Sequence, residues 1–408
     1  MHVTVQSKGE ECCDAALAER PAVKAARLVP WLKDQAARIE TSNRIPDDVA
    51  ARLVEADLFR MTQPRRFGGL SLPPADVWEA VFEIAKGDSS SAWLVGLVAA
   101  NVLMVGKFSE QAQRDVFLCG KPAIVPMMTG GVGRNIVAEP VEGGVMLRGE
   151  WRYASGIDIA SWVGLLVPLP VAGSDAPEPH IVLVEKDAFQ IDDDSWNVLG
   201  MRGTGSKNIS LPSVFVPEHR WMKWKLLQAG HKHPDCPNDD IIYDYPLNPA
   251  LAMSVAAPTL GVASAVAEEF TALVKGRINA GNQQQQVHDR VAQIQVASGE
   301  ATMAILRRSL LDDARRLIDL VEAGTTPTLE DRGAARMQIA VAVRLALAEA
   351  QRMFALLGGS ILPTGTRAER LFRDVHAMSS HLLLQPESIG EAYGRLLLGL
   401  ELPEGARL

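Results

Sequence analysis

The chain has 408 residues, of which 47% are apolar and 22% charged, and carries a formal net charge of −8 at pH 7. That length is too great for one simple core and implies two or three domains. The acidic balance offers no basic surface for nucleic acid or anionic lipid, and neither partner is expected.

No uncharged apolar run long enough to span a bilayer is expected, and Met1 to Glu11 lacks the apolar core of a signal peptide. The expectation is a cytoplasmic protein with no membrane partner. Four cysteines, at 12, 13, 119 and 236, have neither disulfide-scaffold density nor paired metal-ligand spacing. His231 and His233 share a polar loop with Asp235 and Cys236, but no regular element supplies a further ligand. A solvated loop is the reading, and no metal is expected.

Residues 1–119 read as a helical domain. Ala-rich segments with apolar residues at helical spacing run over 15–40, 46–57, 74–87 and 90–108, separated by Pro and Gly signals such as Pro64 to Gly69. Asp88-Ser89-Ser90-Ser91 ahead of Ala92-Trp93-Leu94 is an N-cap signal for a nearly uncharged helix, which must be buried.

Over 120–217 the pattern changes to short β-branched runs at 123–125, 136–139, 145–148, 162–169, 180–184 and 209–216, divided by Gly, Pro and Asp turns. This predicts an antiparallel β domain, as a small barrel or sandwich. Within it, Gly149 to Trp162 reads as a strand, a Ser-Gly bend and a second strand. Trp151, Tyr153 and Trp162 offer flat apolar surface, Ser155 a hydroxyl, and Gly156 close approach of the backbone. The stretch suits a planar heterocycle with polar edges, although aromatic residues in strands also serve as packing.

Residues 218–248 read as an irregular polar insertion, of a length that is often functional or mobile. From 249 to 408, four long amphipathic segments, Leu251–Lys275, Gln283–Ala323, Leu329–Leu357 and Ala368–Leu400, predict a four-helix bundle. The fold class is therefore mostly α with a central β domain.

This order of domains resembles the acyl-CoA dehydrogenase fold, and four stretches carry the resemblance: Pro64 to Leu70, Trp196 to Ser206, Leu357-Gly358-Gly359, and Arg370 to Asp374. Trp151 to Gly156, followed by Ala160-Ser161-Trp162, is similar to the oxygenase components of the two-component (group D) flavin-dependent monooxygenases, which include p-hydroxyphenylacetate and steroid-phenol hydroxylases. The resemblance implies a place beside flavin N5 for Ser155. Dehydrogenases of this fold often carry a catalytic Glu eight or nine residues after the Arg-Asp motif, whereas here His381 stands at that point, as in the monooxygenases.

The exchange makes chemical sense. Removing a proton α to a thioester needs a carboxylate, but oxygen activation needs a proton donor, and an imidazole with a pKa of about 6.5 can supply one at neutral pH. His376, five residues earlier, would point roughly 140° away on a continuous helix, so His381 and Ser155 form the expected catalytic pair. The cofactor-binding set implied by the resemblance is Trp151, Tyr153, Ser155, Gly156, Thr129, Arg277, Gly358 and Gly359, with Arg277 reaching the pyrophosphate of a neighbouring subunit's flavin. The substrate-binding set is Asn101, Trp93 and His376.

Aromatic hydroxylases of this group tend to have a histidine where this chain has Asn101, which can hydrogen-bond but cannot take up a phenolic proton. The expected function is hydroxylation of an aromatic or N-heteroaromatic, indole-type molecule through a C4a-hydroperoxyflavin, using reduced FAD, with FMN possible, and O2. The alternatives are N-oxygenation of an amine, and acyl-CoA dehydrogenation. No Gly-x-Gly-x-x-Gly follows a strand, so a separate NAD(P)H:flavin reductase is expected as partner. The resemblance and the long helices imply a homotetramer built as a dimer of dimers.

Overall fold

Helices open and close the fold around a β sandwich in the computed structural model, which describes residues 19–118, 122–130, 133–170, 176–278, 283–403 and 405–408. Cys12, Cys13 and Cys119 lie outside the described residues. The first part comprises α1 (Pro21–Ser42), α2 (Asp47–Glu55), α3 (Pro74–Ala85), α4 (Ser89–Val105) and α5 (Glu110–Phe117). Four of these match expected segments. The fifth, α5, is a short amphipathic helix that the sequence reading passed over; Ser109 caps it by accepting the Ala112 N–H. The side chain of Asp88 caps α4 by accepting the Ser91 N–H at 2.7 Å, and α4 is buried over almost its whole length.

The strands are β1 (Met127–Met128), β2 (Gly133–Val141), β3 (Gly144–Ala154), β4 (Trp162–Leu169), β5 (Glu178–Glu185), β6 (Gln190–Asp192), β7 (Lys207–Pro217) and β8 (Trp221–Lys223). They form two four-stranded sheets, ordered β1-β4-β5-β8 and β2-β3-β7-β6. The one parallel pairing among them is β1 with β4. Alternating residues from both sheets, among them Leu147, Trp151, Leu165, Val182, Ile209 and Leu211, share one buried cluster, so the domain is a sandwich rather than a closed barrel. The expected strand at 123–125 forms no regular strand, although Ile124 O accepts the Ser161 N–H at 2.9 Å. The short β6 and β8 carried no alternation long enough to read.

Residues 218–248 are less irregular than expected. They contain β8, which extends the sandwich beyond residue 217, a short helix α6 (Trp224–Gln228) and a 3-10 turn at Ile241–Asp244. Buried Lys107 ties this segment to the helices, donating from Nζ to Gly230 O at 3.3 Å and Tyr245 O at 3.1 Å; burial pulls its pKa down to about 8. Among the described residues no cluster of His, Cys, Asp and Glu could hold a metal ion.

The last part holds α7 (Leu247–Gly276), α8 (Arg290–Glu322), α9 (Leu329–Leu357), α10 (Arg367–Ser379) and α11 (Pro386–Leu397). Two expectations need correcting here. First, α7 is long and apolar enough to span a bilayer, contrary to the sequence reading, yet its apolar stretch is wholly buried inside the chain. It lies against α3, α4 and α9 and forms the central strut of the molecule. Second, the fourth segment of the bundle is two helices. Gln385, preceding Pro386, is extended at φ −79° and ψ 112°, as the pyrrolidine ring demands of the residue before it. The helix is broken across 380–385.

Glycines let the helices approach α7 closely. A Cβ on Gly261 would lie 2.4 Å from Ala85 Cβ and 2.5 Å from Phe82 O, both fixed parts of α3. In an exposed helix Gly→Ala stabilises by about 1 kcal/mol, but overpacking a rigid contact costs about 1–3 kcal/mol. Gly261→Ala is therefore expected to lower the midpoint of chemical denaturation. A variant more stable than the parent chain would show that α3 and α7 can part without penalty.

Candidate active site

The Ser155 turn is built by an irregularity in β3. Trp151 pairs with Ile209 but Ala154 pairs with Lys207, so three steps on β3 face two on β7. At this bulge Tyr153 takes φ +66°, a left-handed conformation rare for a residue with a side chain. The bulge reverses the side to which Tyr153 points. Trp151 faces the sandwich interior, 1% exposed and edge-on to Phe189, while Tyr153 is 57% exposed and stands edge-on to Trp196 at 6.4 Å between ring centroids.

Trp162 is buried against the helical core with the Arg220 guanidinium over its ring. The expected aromatic wall of Trp151, Tyr153 and Trp162 is thus corrected to Tyr153 with Trp196, because the two tryptophans are used for packing. Gly156, at φ +77°, completes the turn, and a Cβ there would lie 3.1 Å from both methyls of Leu94 on α4.

A second segment, Trp196–Ser206, lies beneath this turn and is held from the C-terminal helices. Arg373 Nη1 donates to Leu199 O at 2.7 Å, and the Asp374 carboxylate accepts the Met201 N–H at 2.7 Å. A Cβ on Gly200 would fall 2.6 Å from Arg373 O, so only glycine lets the two backbones approach this closely. Arg373 is itself fixed by ion pairs to Glu40 and Glu369. Burial pushes the Asp374 carboxyl up to about 6.

The segment so held delivers Thr204 and Ser206 to Ser155. Gly156 N–H donates to Thr204 O at 2.9 Å, Ser155 Oγ lies 2.7 Å from Ser206 Oγ, and Ser206 Oγ lies 2.7 Å from Thr204 Oγ1. The buried Lys207 ammonium pairs with Asp158 at 2.6 Å and with Asp193 at 2.7 Å, joining the residues just after Gly156 and Ser206.

His381 lies beyond the end of α10, in the break before α11, so the angle to His376 projected on a continuous helix does not apply. Its Nδ1 accepts the Leu383 N–H at 3.3 Å, which leaves the proton of the neutral ring on Nε2. The ring stands edge-on to Trp93 at 5.5 Å between centroids. Burial, with a smaller contribution from the Arg336 guanidinium, lowers the His381 pKa to about 4. In the chain as it stands the imidazole is therefore neutral at pH 7 and a hydrogen-bond donor from Nε2. Arg336 also fixes the turn that carries His381, donating to Leu383 O at 3.0 Å and Arg407 O at 3.3 Å.

The other expected site residues divide in two. Trp93 and Leu94, consecutive on α4, bring His381 and the Ser155–Gly156 turn to one helix. Thr129 follows β1 at the sandwich edge and is partly exposed. Arg277 and the glycine pair meet elsewhere: Arg277 Nη1 donates to Leu357 O at 2.5 Å, and Gly358, at φ 54° and ψ −145°, occupies a conformation nearly reserved for glycine. No atom would lie within 4 Å of a Cβ on Gly358, so that surface is open.

Asn101 and His376 make polar contacts within the chain. The Asn101 amide donates to Val125 O at 2.8 Å and the residue is 4% exposed, which makes it a tie between α4 and the chain entering β1. His376 Nδ1–H donates to Phe372 O at 2.7 Å while Nε2 accepts from Gln351 at 3.0 Å, so both nitrogens are engaged between α9 and α10. Sequence reasoning missed the roles of Thr204, Ser206 and Trp196. All three lie in the Trp196–Ser206 motif, but the motif itself carries no sign of what it touches.

These features fit a flavin. The turn offers an acceptor oxygen on Ser155, a side-chain-free approach at Gly156 and an exposed aromatic face at Tyr153 beside the half-buried Trp196, and a hydrogen-bonding imidazole packs on the neighbouring Trp93 of α4. The turn of His381 carries no free carboxylate; Glu387, the first acidic residue after it, is exposed and paired with Arg344.

The pH dependence of stability tests the environment of His381. Its pKa of about 4 in the folded chain lies below the unfolded value of about 6.5. The unfolded chain therefore binds more protons between the two, so the contribution to stability is full above about pH 6.5 and is lost as pH falls towards 4. His381→Gln is expected to flatten the slope of unfolding free energy against pH in that window. A slope identical to the parent's would mean that the imidazole is solvated and ordinary.

Residues 28–120 match the family described as acyl-CoA dehydrogenase, N-terminal domain, and residues 253–386 match acyl-CoA dehydrogenase, C-terminal domain. The chain is 29% identical over 383 residues to the flavin-dependent monooxygenase, oxygenase subunit HsaA, of Rhodococcus jostii (strain RHA1), covering 92% of this chain and 98% of the relative. It is 28% identical over 402 residues to the FADH2-dependent resorcinol hydroxylase, oxygenase component, of Rhizobium sp. (strain MTP-10005), covering 94% of each. Among solved structures, the 3-HSA hydroxylase from Rhodococcus sp. RHA1 superposes with a TM-score of 0.88 at 28% identity, over 95% of this chain and 98% of that one. The two family matches, with end-to-end likeness to oxygenase components, identify the chain as a member of the acyl-CoA dehydrogenase family, among the oxygenase components of the two-component flavin-dependent monooxygenases.

Proposed function

We propose that the enzyme hydroxylates an aromatic small molecule, held near Trp93 and His381, with flavin seated on the Ser155–Gly156 turn. The observation that carries this reading is that α4 packs on both parts, Leu94 against the Ser155–Gly156 turn and Trp93 against the Nε2-protonated His381. Reduced FAD, or FMN, and O2 are the cofactor and co-substrate of this family, and the flavin when bound supplies the activated oxygen, on this reading as a C4a-hydroperoxyflavin. The chain's own residues do the rest. Ser155 accepts a hydrogen bond at the flavin ring edge, Gly156 admits the ring, and Tyr153 and Trp196 flank its exposed side. His381 donates from Nε2 to an oxygen beside the ring and so stabilises negative charge there.

An electron-rich N-heteroaromatic of the indole type is the finer substrate reading. Asn101, an amide that cannot take up a proton, and His376, both of whose ring nitrogens are engaged, support it, because neither can deprotonate a phenol. N-oxygenation of an amine remains the second reading on the same ground. A separate NAD(P)H:flavin reductase supplies the reduced flavin, and the cytoplasm is the compartment.

Arg277 with Gly358–Gly359 forms a surface distinct from the Ser155 turn, which supports a cofactor that bridges subunits, and with it a homotetramer. Exposed apolar residues on α8, Val291, Ile294 and Ile305, support the same assembly. Ser155→Ala is expected to raise hydrogen peroxide at the expense of product, and His381→Ala to lower both coupling and turnover, whereas His376→Ala should be milder. Product and peroxide are measured together, with reduced flavin, O2 and a panel of phenols and indoles. Wild-type coupling in both Ser155→Ala and His381→Ala would overturn the assignment.

A further inference from the structure

The hydroxyl chain Thr204–Ser206–Ser155 takes a direction from the carbonyl at its inner end, Met201 O, which also accepts the Thr204 N–H at 3.1 Å. Thr204 Oγ1 lies 2.8 Å from Met201 O, a carbonyl that can only accept, so the single hydroxyl hydrogen of Thr204 points there. Thr204 can then only accept from Ser206, 2.7 Å away. With its own hydrogen so engaged, Ser206 can only accept from Ser155, again at 2.7 Å. Thr204 is 1% and Ser206 4% exposed, so water does not offer either hydroxyl another arrangement. The turn's other donors are taken up as well: Ser155 N–H donates to Tyr153 O and Gly156 N–H to Thr204 O, both at 2.9 Å. The Ser155–Gly156 turn therefore presents lone pairs and no donor.

We propose that this relay makes Ser155 an obligate hydrogen-bond acceptor at flavin N5, so that Thr204 and Ser206 select the reduced flavin over the oxidised one. Reduced flavin carries a hydrogen on N5 and needs an acceptor. Oxidised flavin presents an N5 lone pair, which would face the Ser155 lone pairs with no proton between them. A buried acceptor opposite an acceptor is unfavourable, because both groups have left water without gaining a bond. The inference rests on the placement of flavin N5 beside Ser155 in the proposed function. It adds that two residues behind the turn, without touching the cofactor, set which redox state the oxygenase retains. An oxygenase served by a separate reductase gains from this, since spent flavin leaves and reduced flavin replaces it.

The test is direct binding of each redox state to the full-length protein, by fluorescence or calorimetry, with reduced flavin titrated anaerobically. The variants are Ser206→Ala, Thr204→Val, Thr204→Ser and Ser155→Ala. Ser206→Ala frees the Ser155 hydrogen to turn outwards. Thr204→Val leaves the Ser206 hydrogen no inward acceptor, so it turns to Ser155 and reverses the relay.

Each is expected to reduce the preference for reduced over oxidised flavin by about tenfold, chiefly through tighter binding of the oxidised form. For a two-electron couple this is a fall in the separation of bound and free potentials of about 30 mV. Thr204→Ser keeps the relay and should retain the parent preference, which a role limited to packing would not require. If Ser155→Ala weakens reduced-flavin binding while Ser206→Ala and Thr204→Val keep the parent preference, the relay is overturned and the N5 placement stands. If Ser155→Ala alters neither affinity, the N5 placement falls and the selection with it.

Discussion

The site depends on a grip between two segments far apart in the chain: Arg373 and Asp374 on α10 hold the backbone of Leu199 to Met201. A buried carboxylate and a guanidinium are costly to desolvate, and such groups are retained where their hydrogen bonds are satisfied. Here both are. The Asp374 carboxylate takes a main-chain N–H, Arg373 gives a hydrogen bond to a main-chain carbonyl and pairs with Glu40 and Glu369, and Gly200 lets the helix backbone come against the loop. The loop is thereby fixed from the helical side before it reaches the sandwich. Without that anchor Thr204 and Ser206 would have no defined position against Ser155.

On the other side, the turn that carries Ser155 is set by the bulge in β3. One extra residue places Tyr153 at a positive φ and sends its ring outward, while Trp151 stays in the sandwich core. The same device that breaks the strand's alternation exposes an aromatic face to a ligand, in keeping with the tendency of bulges to lie beside active sites. α4 then joins the two halves. Leu94 packs on Gly156 and Trp93 on His381, so a single buried helix sets the positions of the acceptor oxygen and the imidazole.

His381 shows how tertiary surroundings revise a residue's chemistry. An ordinary histidine is charged or neutral near neutrality according to small influences. This one is made a neutral donor by burial and by Arg336, and its tautomer is chosen by the Leu383 N–H. Its place is outside α10, which ends at Ser379, and Pro386 keeps Gln385 extended so that the helix does not resume before α11. The continuous helix expected over Ala368–Leu400 left that effect out, and with it the geometry of both histidines.

The sequence by itself determined the order of helical, β and helical parts, the position of most elements, and the family motifs from Pro64 to Asp374, because hydrophobic periodicity, turn residues and glycine patterns are local properties of the chain. It also singled out Ser155 and His381, through a resemblance carried by short contiguous motifs. Only the tertiary structure decided that Trp151 and Trp162 pack inward while Trp196 stands beside Tyr153, that the Asn101 amide nitrogen and both His376 ring nitrogens are engaged, and that Thr204, Ser206 and Ser155 form one chain of hydroxyls. Ser155 and Ser206 are separated by 51 positions, and Met201 and Asp374 by 173. No local pattern records which hydroxyl meets which, because a hydrogen bond's direction is fixed only when every donor and acceptor around it has been brought into place.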